Sequence, residues 1–340
     1  KGARTVLRVL IRLLLAGLLG AVLAAAAGAW WWQRPLTLLP PAGQTVVDVT
    51  VPAGASARGV AEALVAAGVD TPAWLLHLAF RASGESRRIK AGSYELEAGA
   101  TPQSVLDKLV RGEQALRQVT LVEGWTFRQV LAALRAAEHL EDDIGRQSPA
   151  ELMVQLGYAG RHPEGRFFPD TYRYAKRSPA SGVLRQAAQA MQQQLDAAWA
   201  QRQPGLPLKN PEEALILASI IEKETGQAAD RGRVSAVFIN RLRIGMRLQT
   251  DPTVIYGLGE RFDGNLRKRD LQTDTPYNSY TRAGLPPTPI AMPGKAALLA
   301  AVQPAASNAF YFVARGDGSS QFSATLDEHN RAVRQYQLKR

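Results

Sequence analysis

The sequence contains no cysteine, which excludes disulfides, thiol nucleophiles and cysteine-bound zinc and leaves the redox compartment open. Histidine is scarce as well. His77, His139, His162 and His329 lie far apart, and no HExxH or other ligand spacing occurs. Neither a metal centre nor a cofactor is therefore expected. The formal net charge of +11 raises the question of nucleic acid. No dense Lys/Arg run with interleaved aromatics appears beyond the first 32 residues, so nucleic acid is not an expected partner. Four basic residues, Lys1, Arg4, Arg8 and Arg12, instead crowd the N-terminus. That distribution suits a membrane flank and affinity for an anionic polymer or surface.

What is present begins with Leu13–Trp32, an unbroken run of apolar residues and glycine. About 20 residues rising roughly 1.5 Å each cross the hydrocarbon core of a bilayer. Trp30, Trp31 and Trp32 close the run as an aromatic belt would. Residues 1–12 then read as a basic cytoplasmic flank, 13–32 as a transmembrane helix, and everything after Gln33 as lying outside. A cleaved signal peptide is the competing reading, since Ala24–Ala29 offers small residues for cleavage. The length of the run and its tryptophan end favour a retained anchor.

Residues 33–44 form a proline-rich linker. From 45 to 115 the pattern is that of a small α+β module. Thr45–Val51 alternates like a strand, and Ser56 caps a helix Ala57–Ala67 that stops at Gly68. A second helix runs to Phe80, with Thr71 as N-cap and Pro72 first inside it. Lys90–Leu96 reads as a strand and Thr101–Arg111 as a helix. The larger segment, 116–340, is mixed α+β. It opens with a strand Val119–Glu123 and a helix Phe127–Glu138. The aromatic-dense Gly165–Tyr174 serves either core packing or a sugar-stacking wall.

The chemistry concentrates in Leu215–Gly226, where an apolar helix arrives at two carboxylates, Glu222 and Glu224, and a glycine stops it. Apolar neighbours raise a carboxylic acid's pKa because the charged form loses solvation. Such an acid can protonate a leaving oxygen. The alternative is a helix end with two solvated acids. Two residues apart is about 200° around a helix, so the two cannot share one cleft. A second helix, Arg231–Arg243, ends on Asn240 and Arg241. A loop Gly245–Thr253 carries Gln249 and Asp251, the latter reading as a turn former before Pro252. Tyr277, Asn278 and Tyr280 follow, then a hairpin pairing Phe310–Ala314 with Gln321–Ser323 across Gly316-Asp-Gly318.

Five phrases in order resemble the YceG-like family of membrane-anchored endolytic murein transglycosylases: Ala-Ser-Ile-Ile-Glu-Lys-Glu-Thr, Val-Phe-Ile-Asn-Arg-Leu, Met-Arg-Leu-Gln-Thr-Asp-Pro-Thr, Tyr-Asn-Ser-Tyr and Gly-Leu-Pro-Pro. The phrases Val-Pro-Ala-Gly-Ala-Ser and Lys-Ala-Gly-Ser-Tyr are similar to that family's LysM-like module. The resemblance implies cleavage of the β-1,4 bond between N-acetylmuramic acid and N-acetylglucosamine in peptidoglycan, leaving a 1,6-anhydro end. It also implies a single-pass protein of the bacterial inner membrane, N-terminus cytoplasmic and catalytic domain periplasmic. Penicillin-binding proteins and the elongation or division machinery are its implied associates. Glu224-Thr225 is similar to the Glu-Ser helix ending of other lytic transglycosylases, which implies Glu224 as the acid and leaves Glu222 as a supporting group or alternative acid. Asn240, Arg241, Gln249, Tyr277, Asn278 and Tyr280 are the implied substrate-binding residues. A hydrolytic muramidase and a non-catalytic glycan-binding scaffold remain the alternatives.

Overall fold

The computed structural model describes residues 2–338, with side chains from residue 10 onward. Lys1 and the side chains of Arg4 and Arg8 lie outside the described residues. The fold is mixed α/β and divides into two compact units, Lys1–Arg117 and Gln118–Arg340. Its described strands form three two-stranded sheets.

The first unit begins with helix α1 (Gly2–Trp32). Its segment Leu10–Trp32 has a mean hydropathy of 2.3 and is long and apolar enough to cross a membrane. Strands β1 (Val47–Val51) and β2 (Gly92–Leu96) pair antiparallel, Val47 opposite Leu96 and Val51 opposite Gly92. Their alternation buries Val47, Val49 and Val51 against α2 (Ala57–Ala67), α3 (Ala73–Ala82) and α4 (Pro102–Arg111). Ser56 Oγ accepts from Gly59 N at 3.2 Å, as its N-cap position requires. Gly68 adopts φ +117°, and a Cβ there would come within 2.4 Å of the Leu39 carbonyl oxygen. The α3 start differs from expectation. Pro72, with extended ψ 129°, is the N-cap, and Thr71 turns its hydroxyl onto the Asp70 carbonyl instead.

At the unit boundary β3 (Leu116–Thr120) pairs with β4 (Thr171–Ala175). The strand lies three residues earlier than the valine pattern suggests, because the chain turns away at Gly124, whose N–H bonds the Met292 carbonyl at 2.8 Å. Helices α5 (Phe127–Ala136), α6 (Pro149–Gln155) and α7 (Ala180–Ala200) follow. Next comes α8 (Pro211–Glu224), capped by Asn210, whose Oδ1 accepts from Glu213 N at 3.0 Å. Every residue from Ala214 to Ile221 is buried. A helix apolar on all sides must be enclosed on all sides, and α7, α9 (Ala228–Arg243), α10 (Asp251–Leu258) and α12 (Lys295–Val302) enclose it. The short α11 (Lys268–Gln272) precedes α12.

Two segments depart from the sequence reading here. Asp251 is not in a turn: Asp251-Pro252 opens α10, with proline in the first helical turn where its missing N–H costs nothing. The hairpin β5 (Tyr311–Ala314) and β6 (Ser320–Ser323) forms as expected, but a further helix, α13 (Leu326–Tyr336), packs on both its strands.

Candidate active site

Helix α8 delivers Glu224 as its last residue, at the end where the helix dipole opposes negative charge. The backbone then extends at Thr225, so the side chain projects into a cavity of about 680 Å³. Burial raises the pKa of the Glu224 carboxyl, and the nearby Asp251 charge adds to the rise. Opposing this, the Thr250 hydroxyl donates to Glu224 Oε1 and the Arg241 guanidinium favours the ionised form. The carboxyl is therefore biased toward its protonated form, yet has a donor ready for the anion.

Thr250 is itself fixed from three sides. Its N–H donates to Ser279 Oγ at 3.0 Å, its carbonyl accepts from Thr253 Oγ1 at 2.8 Å, and those two hydroxyls lie 2.8 Å apart. Asn278 holds that loop: its Nδ2 donates to the carbonyls of Asp270, Leu271 and Thr273, and its Oδ1 accepts from Tyr280 N. Tyr280 then donates to Asp251 Oδ1 at 2.6 Å. Burial and the Asp251 charge raise the Tyr280 pKa, so it stays a neutral donor.

Glu222 faces elsewhere. Its Oε2 accepts from Gly294 N at 3.0 Å, at the N-terminus of α12, where a carboxylate is favoured by the dipole. Burial raises its pKa too, and the Gly294 bond works against that.

Of the expected substrate-binding residues, the structure brings Arg241, Gln249 and Tyr280 to the wall of the cavity that holds Glu224. Gln249 is exposed there in a left-handed conformation, φ +48°. Arg241 is buried, its guanidinium on the carbonyls of Phe310, Leu248 and Arg247, and its Cζ stands 5.2 Å from the Tyr311 ring centre. Asn240, Tyr277 and Asn278 do not line that cavity. Asn240 Nδ2 donates to the Ser307 and Ala309 carbonyls, and Tyr277 Oη pairs with Thr288 Oγ1 at 2.8 Å. These three tie neighbouring segments together.

The family model that matches the chain is that of the YceG-like family, over residues 49–335. The chain belongs to the YceG-like family. An endolytic murein transglycosylase of Bacillus subtilis is 31% identical over 313 residues, 86% of this chain and 85% of that protein. An endolytic murein transglycosylase of Streptococcus pneumoniae is 26% identical over 329 residues, 85% of this chain and 58% of that protein. The crystal structure of a YceG-like protein from Listeria monocytogenes superposes with a TM-score of 0.50 at 28% identity, covering 84% of this chain and 98% of that one.

In this YceG-like chain the cavity also has walls that sequence reasoning did not name. Thr250 is one, a buried hydroxyl inside a phrase already singled out, and Ser279 supports it from behind without lining the cavity. Tyr311 comes from β5, and His329 and Asn330 from α13. The His329 ring stacks on Tyr311, centroids 5.2 Å apart and planes 23° apart, and its buried Nδ1 has no hydrogen-bond partner among the described residues. Burial and the Arg241 charge lower the His329 pKa, so the ring stays neutral. The sequence offered His329 only as one of four scattered histidines, so nothing marked this wall in advance.

Proposed function

We propose that this protein is a membrane-anchored lytic transglycosylase of peptidoglycan, with Glu224 as its acid and then its base. The observation that carries the reading is Glu224 itself. It is a carboxyl desolvated at the end of a buried helix, facing a cavity of about 680 Å³, with the Thr250 hydroxyl on one oxygen. That curated relatives bear the name endolytic murein transglycosylase supports the substrate.

Protonated Glu224 gives its proton to the glycosidic oxygen as the bond from muramic acid C1 breaks. The C6 hydroxyl of the same sugar then bonds to C1, and its proton returns to the Glu224 carboxylate. No water is consumed, and the carboxyl ends in the state in which it began. One carboxyl group suffices, whereas hydrolytic glycosidases set two at defined separations. The Thr250 donor stabilises the carboxylate that exists between the two steps. Arg241, Gln249 and Tyr280 border the glycan's path, while Asn240, Tyr277 and Asn278 support the loops around it.

The reading extends to the rest of the chain. Residues 13–32 hold it in the bacterial inner membrane with the N-terminus cytoplasmic, residues 45–115 form a LysM-like module, and residues 116–340 work in the periplasm beside the wall-synthesis machinery. Incubation of purified sacculi with the protein tests the chemistry. Mass spectrometry should find 1,6-anhydro-muramyl products, and at least about a hundredfold fewer with Glu224→Gln. Reducing-end products would point to a muramidase, and no products to a scaffold.

A further inference from the structure

Helix α3 carries two apolar stripes, and only one is used by the core. Leu76 and Phe80 are fully buried within the first unit. Trp74 and Leu78, one helical turn apart and so on one side, remain 67% and 57% exposed. Leu75, Ala79 and Ala82 widen that second stripe.

The end of α1 lies against it. A cavity of about 340 Å³ is lined by Ala29, Trp31 and Trp32 of α1 together with Leu75, Leu78 and Ala82 of α3. Its lining is apolar apart from Ser83 at one edge. The Trp32 ring stands edge-on to Phe80, centroids 6.4 Å apart at 78°, which fixes α3 to the last turn of α1. One helical turn rises about 5.4 Å, so the second stripe of α3 shares the depth of the tryptophans closing the span. In a membrane, that depth is the interface between acyl chains and headgroups.

The charges fit the same place. Helix α3 contains no acidic residue. Arg81 in its last turn and Arg87 just beyond are exposed and make no ion pair among the described residues. Arg34 stacks on exposed Trp30 at 4.0 Å. Aromatic and aliphatic side chains on one face with arginines at its edge characterise a helix lying in a lipid interface.

We propose that the Trp74–Leu78 face of α3 is a membrane-seating surface, which lays the first unit on the lipids surrounding the end of α1. The occupant is the bilayer itself, with anionic headgroups meeting Arg81 and Arg87. The proposal rests on the reading of α1 as a retained membrane anchor.

Because the chain has no native cysteine, single nitroxide labels report unambiguously. The full chain carrying Leu18→Cys, Glu62→Cys, Trp74→Cys or Leu78→Cys is reconstituted in phosphatidylethanolamine/phosphatidylglycerol vesicles. Accessibility to oxygen is then compared with accessibility to a water-soluble nickel chelate. The label at 18 should sit deep in lipid and that at exposed Glu62 in water. Labels at 74 and 78 should show an oxygen-to-nickel ratio several-fold above that at 62. Labels at 74 and 78 as open to nickel as that at 62, with 18 in lipid, overturn the proposal and leave the anchor standing. Labels at 74 and 78 shielded from both reagents mean a second copy covers the face, which also overturns it. A label at 18 in water removes the anchor and the proposal together.

Discussion

Glu222 and Glu224 leave one helix end in different directions, Glu222 onto the Gly294 amide and Glu224 onto the Thr250 hydroxyl. The divergence separates two variants that look alike in sequence. Glu224→Gln keeps the shape and removes the transferable proton, so release of anhydro products should fall about 10²–10⁴-fold, the usual worth of general acid–base catalysis. Its melting temperature should hold or rise, since a desolvated carboxyl becomes a neutral amide. Glu222→Gln keeps an acceptor for Gly294 and likewise removes a carboxyl whose pKa burial raises, so its melting temperature should also hold or rise, with cleavage changed only a few-fold. Product release from sacculi and thermal melts check both, and a reversed pattern would move the acid to Glu222.

The Thr250 hydroxyl lowers the Glu224 pKa against the rise caused by burial. Thr250→Val removes that donor at nearly constant volume, so the pKa should climb further. Cleavage by a protonated acid declines as pH rises through that pKa. The alkaline limb of the kcat/KM profile should therefore shift to higher pH in the variant, while the maximum rate falls because the carboxylate loses its partner. An unmoved alkaline limb would show that Thr250 does not act through Glu224.

Asn278 illustrates how much of the site was legible in the sequence and where legibility stopped. Its phrase, Tyr-Asn-Ser-Tyr, marked the right loop, and side chains able to bind sugar amides are the same ones able to bind backbone carbonyls. Only the fold reveals that its amide already serves Asp270, Leu271 and Thr273. Helix α8 was legible because its apolar run is continuous, and the Ser56 and Gly68 caps because their chemistry is local. Helix α13 was not legible, since Ala332 is its only buried residue and a solvated helix leaves little apolar periodicity. Asn278→Ala should destabilise the protein by about 1–3 kcal/mol through the lost hydrogen bonds to three partly buried carbonyls. Asn278→Asp should be worse, placing a carboxylate against the same carbonyls. Chemical denaturation of the two variants measures the difference.

His329 presents the opposite balance, a neutral ring on the cavity wall whose Nδ1 is buried without a partner among the described residues. An unmade buried hydrogen bond costs about 1–3 kcal/mol. His329→Phe preserves the stack on Tyr311 and removes the unpaired nitrogen, so stability should hold or increase. If the imidazole meets glycan, KM for a soluble glycan strand should rise several-fold with kcat little changed. A KM unaltered by the substitution would assign His329 to packing alone.

Glu164 is 3% exposed, accepts from Phe127 N at 2.9 Å and from Tyr256 Oη at 3.1 Å, and has its pKa pushed up to about 7 by burial. The folded protein therefore binds this proton more tightly than the unfolded chain, whose glutamate titrates near 4.5. Its contribution is fully present below pH 4.5, declines as pH rises from there to about 7, and is then lost. At about 1.4 kcal/mol per pH unit that window amounts to about 3 kcal/mol. Glu164→Gln keeps an acceptor for Phe127 and a polar partner for Tyr256 without the charge, so it should flatten the decline between pH 5 and pH 7.5 and leave the variant more stable than the parent at pH 7.5. Denaturant midpoints of both proteins at those two pH values decide the matter. Parallel declines would place the proton on another group whose pKa folding raises.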